Sequence, residues 1–520
     1  MTTTQATQTE TLEQIQSFEG KYPKQLWYLF LSEMWERFAF YGMRGMLTIF
    51  MVEQLKLSEK DANLKYGAIQ AFIYTMAFVG GFFADKMLGF RKSIFWGGLL
   101  MIVGSFTLAF NPHDFYYLGI CFTIVGTGFF KPNISTMVGN LYKADDPRRD
   151  AGFGLFYSGI NIGALLGGYL CINVANHYSW NAAFSLAGIG MALGLGIFIF
   201  TKRTLGPIGF SPLAAKPEAT TEEWDMGTTG DTPAAAPLTA KKILTYDIMV
   251  YAGSLLVIPF ILLLVTNTGY TDLFMYITGP AAFLYIIYEM RNYAAAERQK
   301  LAAALIFIVF SVFFWAFFEQ AGGSLSLFAR YNLDHKVLGL TIDPNEINNS
   351  ANSLFVIIFS PLFGLIWLWM AKKKAEPNTV IKFGLGFLFL AVAFYIFYYT
   401  RFFADAQGYT SLNIFTLAYL VITIGELCLS PIGLSLMTKL APQKLHGMMM
   451  GMWFLASAYG QYAAGILGAG MSTTDEHASL TAKLLSYTEG YKQLAIYALV
   501  AGVVLIVISP MIRKLMHEVH

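Results

Sequence analysis

Glu33, Glu36, Arg37 and Arg44 all stand inside one apolar stretch, LSEMWERFAFYGMRGML, residues 31–47. On a helix these four side chains, with Phe40 and Tyr41, fall within an arc of about 140°. Met34, Trp35, Phe38, Ala39, Met43 and Met46 fill the rest of the circumference. Charges so placed are costly against lipid, so the stripe must face protein or a water-filled cavity, and such groups are functional by default. Glu33 and Arg37 are spaced i,i+4 and can neutralise each other. Arg44 has no acid within reach on its own helix and needs a partner from another segment. A purely structural ion-pair network between helices is the competing reading.

Three other apolar segments carry charge at mid-depth. GTGFFKPNIS (126–135) holds Lys131 ahead of Pro132 and Asn133. FFWAFFEQAGGS (313–324) holds Glu319 and Gln320 among aromatics, and ITIGELCLSPIGLS (422–435) holds Glu426 ahead of Pro431. The first half thus supplies every basic residue and two acids, and the second half supplies two acids. A site between the halves would show one charged end to each pole of a ligand. A carboxylate beside an arginine can also couple to protons, because protonating it removes half of a buried ion pair at a cost of several kcal/mol. Glu33, Glu36 and Glu319 are the acids that could respond to a proton in this way. His113, His177, His335, His446, His477, His517 and His520 all map to loops, span edges or the tail, so imidazoles are not expected to carry the proton.

The elements that must position these residues follow from composition. The 520 residues are 56% hydrophobic and 13% charged, about half the charged fraction of a soluble domain, as in a polytopic membrane protein. A net charge of +2 gives no sign of nucleic acid. Cys121, Cys171 and Cys428 lie in apolar runs and match neither a disulfide framework nor a metal site. Runs of roughly 20 apolar residues, long enough to cross a bilayer, read at 27–52, 64–87, 92–110, 115–140, 150–173 and 181–201. A Pro-, Ala-, Thr- and acid-rich stretch (KPEATTEEWDMGTTGDTPAAAP) follows, then runs at 246–266 and 272–290. Six more read at 302–328, 350–371, 380–400, 412–439, 447–470 and 490–512. With the N-terminus inside, inner segments hold 24 Lys and Arg and outer segments 8, which places both termini in the cytosol. Arg37, Arg44 and Lys131 are the ones left within spans. The polar start has no basic region and apolar core of a cleaved signal.

GGFFADKMLGFRKS (80–93) resembles the loop signature of the major facilitator superfamily. That resemblance implies an all-α membrane fold of two six-helix bundles rocking about a midplane site, here with two inserted helices expected to be peripheral. Asp85, Arg91 and Lys92 are expected to hold the cytosolic side closed. The expected organisation is a disordered cytosolic leader (1–22), a first bundle (23–203), a cytosolic linker (204–242), an inserted hairpin (243–294), a second bundle (295–514) and a cytosolic tail (515–520).

EMWERFAFYG (33–42) is similar to the Glu-x-x-Glu-Arg-Phe-x-Tyr-Tyr-Gly motif of the proton-coupled oligopeptide transporter (POT/PTR) family, with Phe40 in place of the first Tyr. GTGFFKPNIS, FGLFYSGINIGAL (153–165), FWAFFEQ, NSLFVIIFSP, GELCLSPIGLS and GMWFLASAYG also resemble family signatures in order along the chain, although Ser158 stands where a larger apolar residue is usual. The paired extra helices look like those of bacterial members. The resemblance implies proton-driven uptake of di- and tripeptides, and of peptide-like drugs, across the bacterial cytoplasmic membrane. It implies no cofactor besides the proton, no enzyme activity and no obligatory protein partner. It places Arg37, Tyr41 and Lys131 on the peptide carboxylate, and Asn161, Asn352 and Glu426 on its ammonium end. Tyr74, Trp315, Trp453 and Ser457 match side-chain pockets, and Arg44 and Glu319 match an outer-gate pair that responds to protonation. No nucleotide-binding loop, pore-ring repeat or nucleophile and metal motif supports a pump, channel or enzyme. A symporter of nitrate or an amino-acid-like solute, and a peptide sensor without flux, are the alternatives.

Overall fold

The computed structural model of the chain describes residues 10–143, 145–214, 239–429, 433–473, 475 and 478–517. Fourteen helices of at least 18 residues dominate them. The first six are α1 (Lys24–Glu53), α2 (Glu59–Phe83), α3 (Phe90–Phe110), α4 (Tyr116–Gly139), α5 (Arg148–His177) and α6 (Trp180–Thr201). Next come α7 (Ala240–Thr266) and α8 (Thr268–Glu289). The last six are α9 (Ala295–Phe318), α10 (Pro344–Lys372), α11 (Thr379–Tyr399), α12 (Leu412–Leu429), α13 (His446–Met471) and α14 (Leu480–Met516). Side-chain caps start several of them: Ser58 accepts from the Asp61 amide, Ser179 from Ala182, and Asp343 from Asn345 with Pro344 in the first turn. Eleven helices are long and apolar enough to cross a membrane. The other three are α1, with its charged stripe, and α4 and α13, where Gly, Ser and Thr dilute the apolar content.

In the first bundle α1 packs on α5 and α6, α4 on α2 and α3, and α3 on α6. In the second α11 packs on α12 and α14, α9 on α13 and α14, and α10 on α12. The halves meet along α2–α13 and α5–α10, and each half has its own buried apolar cluster. Large apolar side chains such as Leu256 and Val507 point outward, 78% and 70% exposed, as lipid-facing residues do. Close approach of α1 and α5 depends on Gly159, Gly163 and Gly167, spaced by four. A Cβ on Gly163 would stand 2.1 Å from the Met34 carbonyl oxygen and 2.9 Å from Arg37 Cβ, so glycine alone lets α5 press against the backbone that carries the charged stripe.

Several expectations need correction. The single span 302–328 is two helices: α9 ends at Phe318, a tight turn runs Glu319–Gly322, and a short helix follows at Ser324–Asn332. The Gly322-Gly323 pair favours the break. The fully buried Gln320 side chain donates to the Ala316 and Ala464 carbonyls at 3.0 and 3.1 Å and accepts from Ser324 Oγ at 2.7 Å, partners that replace the interrupted ladder. Within the span 412–439 the described residues are helical at Leu412–Leu429 and Gly433–Leu440; residues 430–432, Pro431 among them, lie outside the described residues.

The leader 1–22 is folded from residue 10 onward. Thr11 and Gln14 form a capping box on Leu12–Gln16, Ile15 is buried, and Arg148 donates to the Phe18 and Gly20 carbonyls at 3.1 Å. The start of the 204–242 linker is packed as well, because Arg91 donates to the carbonyls of Ile208 (2.7 Å) and Gly206 (2.5 Å). Residues 1–9, 215–238 and 518–520 lie outside the described residues, as does His477.

The inserted hairpin lies at the periphery, with most of α8 facing outward, yet it touches both bundles. α7 is tied to the first: Asp247 pairs with Lys92, Ser254 Oγ accepts from Trp96 Nε1 at 2.9 Å, and the Thr266 carbonyl accepts from Lys65 at 2.5 Å. α8 is tied to the second, where the Tyr459 hydroxyl accepts from the Gly279 amide at 2.6 Å and Tyr462 bonds Asp272.

Alternation of the helices brings both ends of the described chain to one face. Among the described residues, the ion pairs that join the halves lie at mid-depth or at the opposite face: Arg44–Glu319, Arg330–Glu53 at 2.6 Å and Lys483–Glu59 at 2.5 Å. That opposite face is closed. Asp85, Arg91 and Lys92 sit at the terminal face and were expected to latch it. Arg91 instead binds the linker, Lys92 binds α7, and Asp85 forms no ion pair among the described residues, so none of the three reaches the second half. The reason is conformational, since with the opposite face locked the terminal face is left unbridged.

Candidate functional site

Between the bundles lies a cavity of about 220 Å³. The first half contributes Tyr41 and Arg44 from α1, Tyr74 from α2, and Tyr157, Ile160 and Asn161 from α5. The second half contributes Trp315 and Phe318 from α9 and Glu319 from the turn. It adds Asn348, Asn349, Asn352 and Ser353 from α10, and Tyr419, Ile422 and Glu426 from α12. Eight residues singled out from the sequence share this wall: Tyr41, Arg44, Tyr74, Asn161, Trp315, Glu319, Asn352 and Glu426.

Its charged groups differ in how they are partnered. Arg44 on α1 bonds Glu319 of the opposite half through Nη2, donates to the Tyr66 hydroxyl through Nε at 2.7 Å, and lies 5.7 Å from the Tyr41 ring centre. Glu426 accepts from Asn352 Nδ2 at 2.8 Å, and Asn352 also donates to Thr423 Oγ1 at 3.1 Å. Among the described residues Glu426 has no cation paired to it. Asn161 donates to the Tyr157 carbonyl on its own helix at 2.9 Å.

The motif beneath is more deeply sealed. Arg37 Nε lies 2.8 Å from Glu33 Oε1 and 2.6 Å from Glu36 Oε2, and all three side chains are at most 2% exposed. The guanidinium stands 5.5 Å from the Phe40 ring centre. Lys131 belongs to the same electrostatic neighbourhood, interacting with Arg37, Glu36, Glu33 and Tyr41. It forms no ion pair among the described residues, and its Nζ stands 4.4 Å over the Tyr74 ring. Two acids and two bases thus make a balanced cluster in which Arg37 has two carboxylates and Lys131 none within contact.

Four expected wall residues are therefore off the wall. Arg37 is held by its two glutamates, and half-buried Lys131 holds its ammonium over the Tyr74 ring. Trp453 and Ser457 are 8% and 7% exposed on α13, where that helix is packed against α2 and α9, and Ser457 Oγ bonds the Trp453 carbonyl. Sequence reasoning missed Tyr66, Asn348 and Tyr419. Asn348 donates to the Ala321 carbonyl at 2.8 Å and accepts from the Tyr419 hydroxyl at 2.6 Å, so the two brace the turn that carries Glu319. The cluster NEINNSANS was the available signal for Asn348; Tyr66 and Tyr419 are single tyrosines among 29 and gave none.

The arrangement suits a small solute with separated opposite charges. Neutral amides and hydroxyls on the wall can bond a peptide backbone whatever its sequence, and aromatic faces accept varied side chains.

Comparison with known proteins points the same way. Residues 91–210 and 269–484 match the model of the POT family. The peptide transporter YePEPT of Yersinia enterocolitica is 35% identical over 457 residues, covering 85% of this chain and 86% of that protein. Dipeptide and tripeptide permease A of Pectobacterium carotovorum is 29% identical, with 98% of this chain and 96% of the permease covered. A crystal structure of a peptide transporter POT in complex with alafosfalin superposes with a TM-score of 0.80 at 30% identity, covering 98% of this chain and all of that one.

Proposed function

The chain belongs to the POT family, and we propose that it is a proton-coupled symporter of di- and tripeptides working by alternating access around the cavity between its bundles. It is a multi-pass membrane transporter rather than an enzyme. We place it in a bacterial cytoplasmic membrane with both termini in the cytosol, on the threefold excess of Lys and Arg in that set of loops. Protons are the coupling ion and no other cofactor is invoked.

One observation carries the substrate reading: of the mid-depth charges, the cation and the anion that form no ion pair among the described residues, Lys131 and Glu426, come from opposite halves. A short peptide is a zwitterion whose termini are separated by about 3.3–3.6 Å per extended residue. Its carboxylate would go to Lys131, with Arg37 and Tyr41 behind, and its ammonium to Glu426, with Asn352 and Asn161 beside it. Trp315, Tyr74 and, once the bundles move, Trp453 and Ser457 would face its side chains. The small cavity fits a few residues and excludes a folded chain. Coupling would run through Glu33, Glu36 and Glu319, each facing an arginine, so that a proton on one weakens the attachment of that arginine.

The test is uptake of labelled dialanine into proteoliposomes under an inward proton gradient, with competition by alanine, trialanine and nitrate. Uptake that collapses with the gradient and is blocked by trialanine alone supports the reading. Block by alanine or nitrate favours another solute, and binding without flux favours a sensor.

A further inference from the structure

Arg44 has two acceptors, one from each half of the molecule. Glu319 belongs to the second half, on the turn after α9, and reaches Arg44 Nη2. Tyr66 belongs to the same half as Arg44 and accepts from its Nε at 2.7 Å. The Tyr66 side chain is 1% exposed, and its hydroxyl tip lies over Gly322, where an added Cβ would stand 1.9 Å away. Thr48 of α1 bonds the Gly322 carbonyl beside it. The hydroxyl thus sits at the seam where the two halves touch, aimed at an arginine of its own half.

We propose that Tyr66 is a positioning residue for proton coupling, the resident partner that keeps Arg44 anchored in the first bundle when its inter-bundle bond to Glu319 is given up. The proposal rests on the proton-coupled reading above. Separating the bundles with Glu319 protonated would leave the Arg44 guanidinium, 12% exposed even when paired, with water in place of the carboxylate and no group from the second half to fix its direction. A tyrosine hydroxyl that travels with Arg44 supplies an acceptor in both states and fixes the direction in which the guanidinium points. The other titratable groups facing this pair are Tyr41 of α1, Tyr74 of α2, and Tyr419 and Glu426 of α12. Among the described residues none of these four hydrogen-bonds Arg44, whereas Tyr66 does at 2.7 Å.

Removing the hydroxyl leaves Glu319 as the one ionic or hydrogen-bonded partner of Arg44 among the described residues, so its carboxylate is harder to protonate and transport needs more acid. In proteoliposomes the Tyr66→Phe protein should show the pH midpoint of dialanine uptake moved about one unit lower, equal to ~1.4 kcal/mol. Gradient-free dialanine counterflow at acidic pH should persist. Tyr66→Gln, which keeps an acceptor and loses the ring, should lie nearer the wild type in midpoint. An unmoved midpoint in Tyr66→Phe, or a wild-type profile in Phe with a displaced one in Gln, would show that the ring only fills space and would overturn the proposal. If the wild type itself gives neither uptake nor counterflow of dialanine, the peptide reading has failed, a result distinguishable from any effect of Tyr66.

Discussion

Gly67 on α2 and Gly465 on α13 meet across the two halves so closely that a Cβ on Gly67 would stand 2.8 Å from the Gly465 Cα and 3.0 Å from the Gln461 carbonyl oxygen. This contact seals the closed face without any charge. Gly67→Ala should therefore oppose closure while leaving the wall untouched. Overpacking of ~1–3 kcal/mol on one state corresponds to a population change of about 5–150-fold. Cysteine labelling at exposed Lys60 on the closed face, paired with exposed Leu338 for distance measurement, should reveal a second, longer distance in the Gly67→Ala protein. An unchanged single short distance would mean that the backbones can shift to absorb the methyl.

Glu36 is fully buried, with Oε2 2.6 Å from Arg37 Nε, and its replacement by Gln imitates the protonated acid. Arg37 keeps Glu33 at 2.8 Å, so the fold should survive. Gradient-driven uptake by Glu36→Gln should fall at least ~tenfold while counterflow stays within about twofold, so the two readouts separate by at least about fivefold, ~1 kcal/mol. Loss of both activities, or of neither, would remove Glu36 from the proton path.

The inserted hairpin bridges the bundles, α7 on the first and α8 on the second. Tyr459→Phe combined with Tyr462→Phe deletes the hydroxyl bonds from α13 to Gly279 and Asp272, each worth ~0.5–1.5 kcal/mol. Amide exchange should accelerate in residues 268–289 and stay unchanged in 240–266. Equal acceleration in both helices would show that the hairpin loosens as a unit and is not divided between the halves.

Much of this molecule was legible because membrane spans write long apolar runs, and because lipid makes any charge within them conspicuous. Each expected run overlaps one long helix, and the stripe from Glu33 to Arg44 announced itself by position alone. What escaped was set by tertiary contact. The break after Phe318 hid inside an apolar pattern, since Gln320 replaces the lost ladder with side-chain bonds that no periodicity reveals. Which cation stays unpaired was only half visible: helical spacing pairs Arg37 with Glu33, but not with Glu36 as well, and says nothing of the partners of Lys131. The folded segment from residue 10 looked polar and free, because its attachment depends on one buried Ile15 and on Arg148, 130 residues from its partner Phe18.

Lys131 and Glu426 are proposed to hold opposite ends of one solute. Competition against dialanine uptake by N-acetyl-dialanine and by dialanine amide, in wild type, Lys131→Gln and Glu426→Gln proteins, tests it most directly. The wild type should reject both blocked peptides. Glu426→Gln should bind more weakly and lose its preference for a free amino end, and Lys131→Gln should lose its preference for a free carboxylate. Equal discrimination by all three proteins, or the reverse pairing of residue with peptide end, would contradict it.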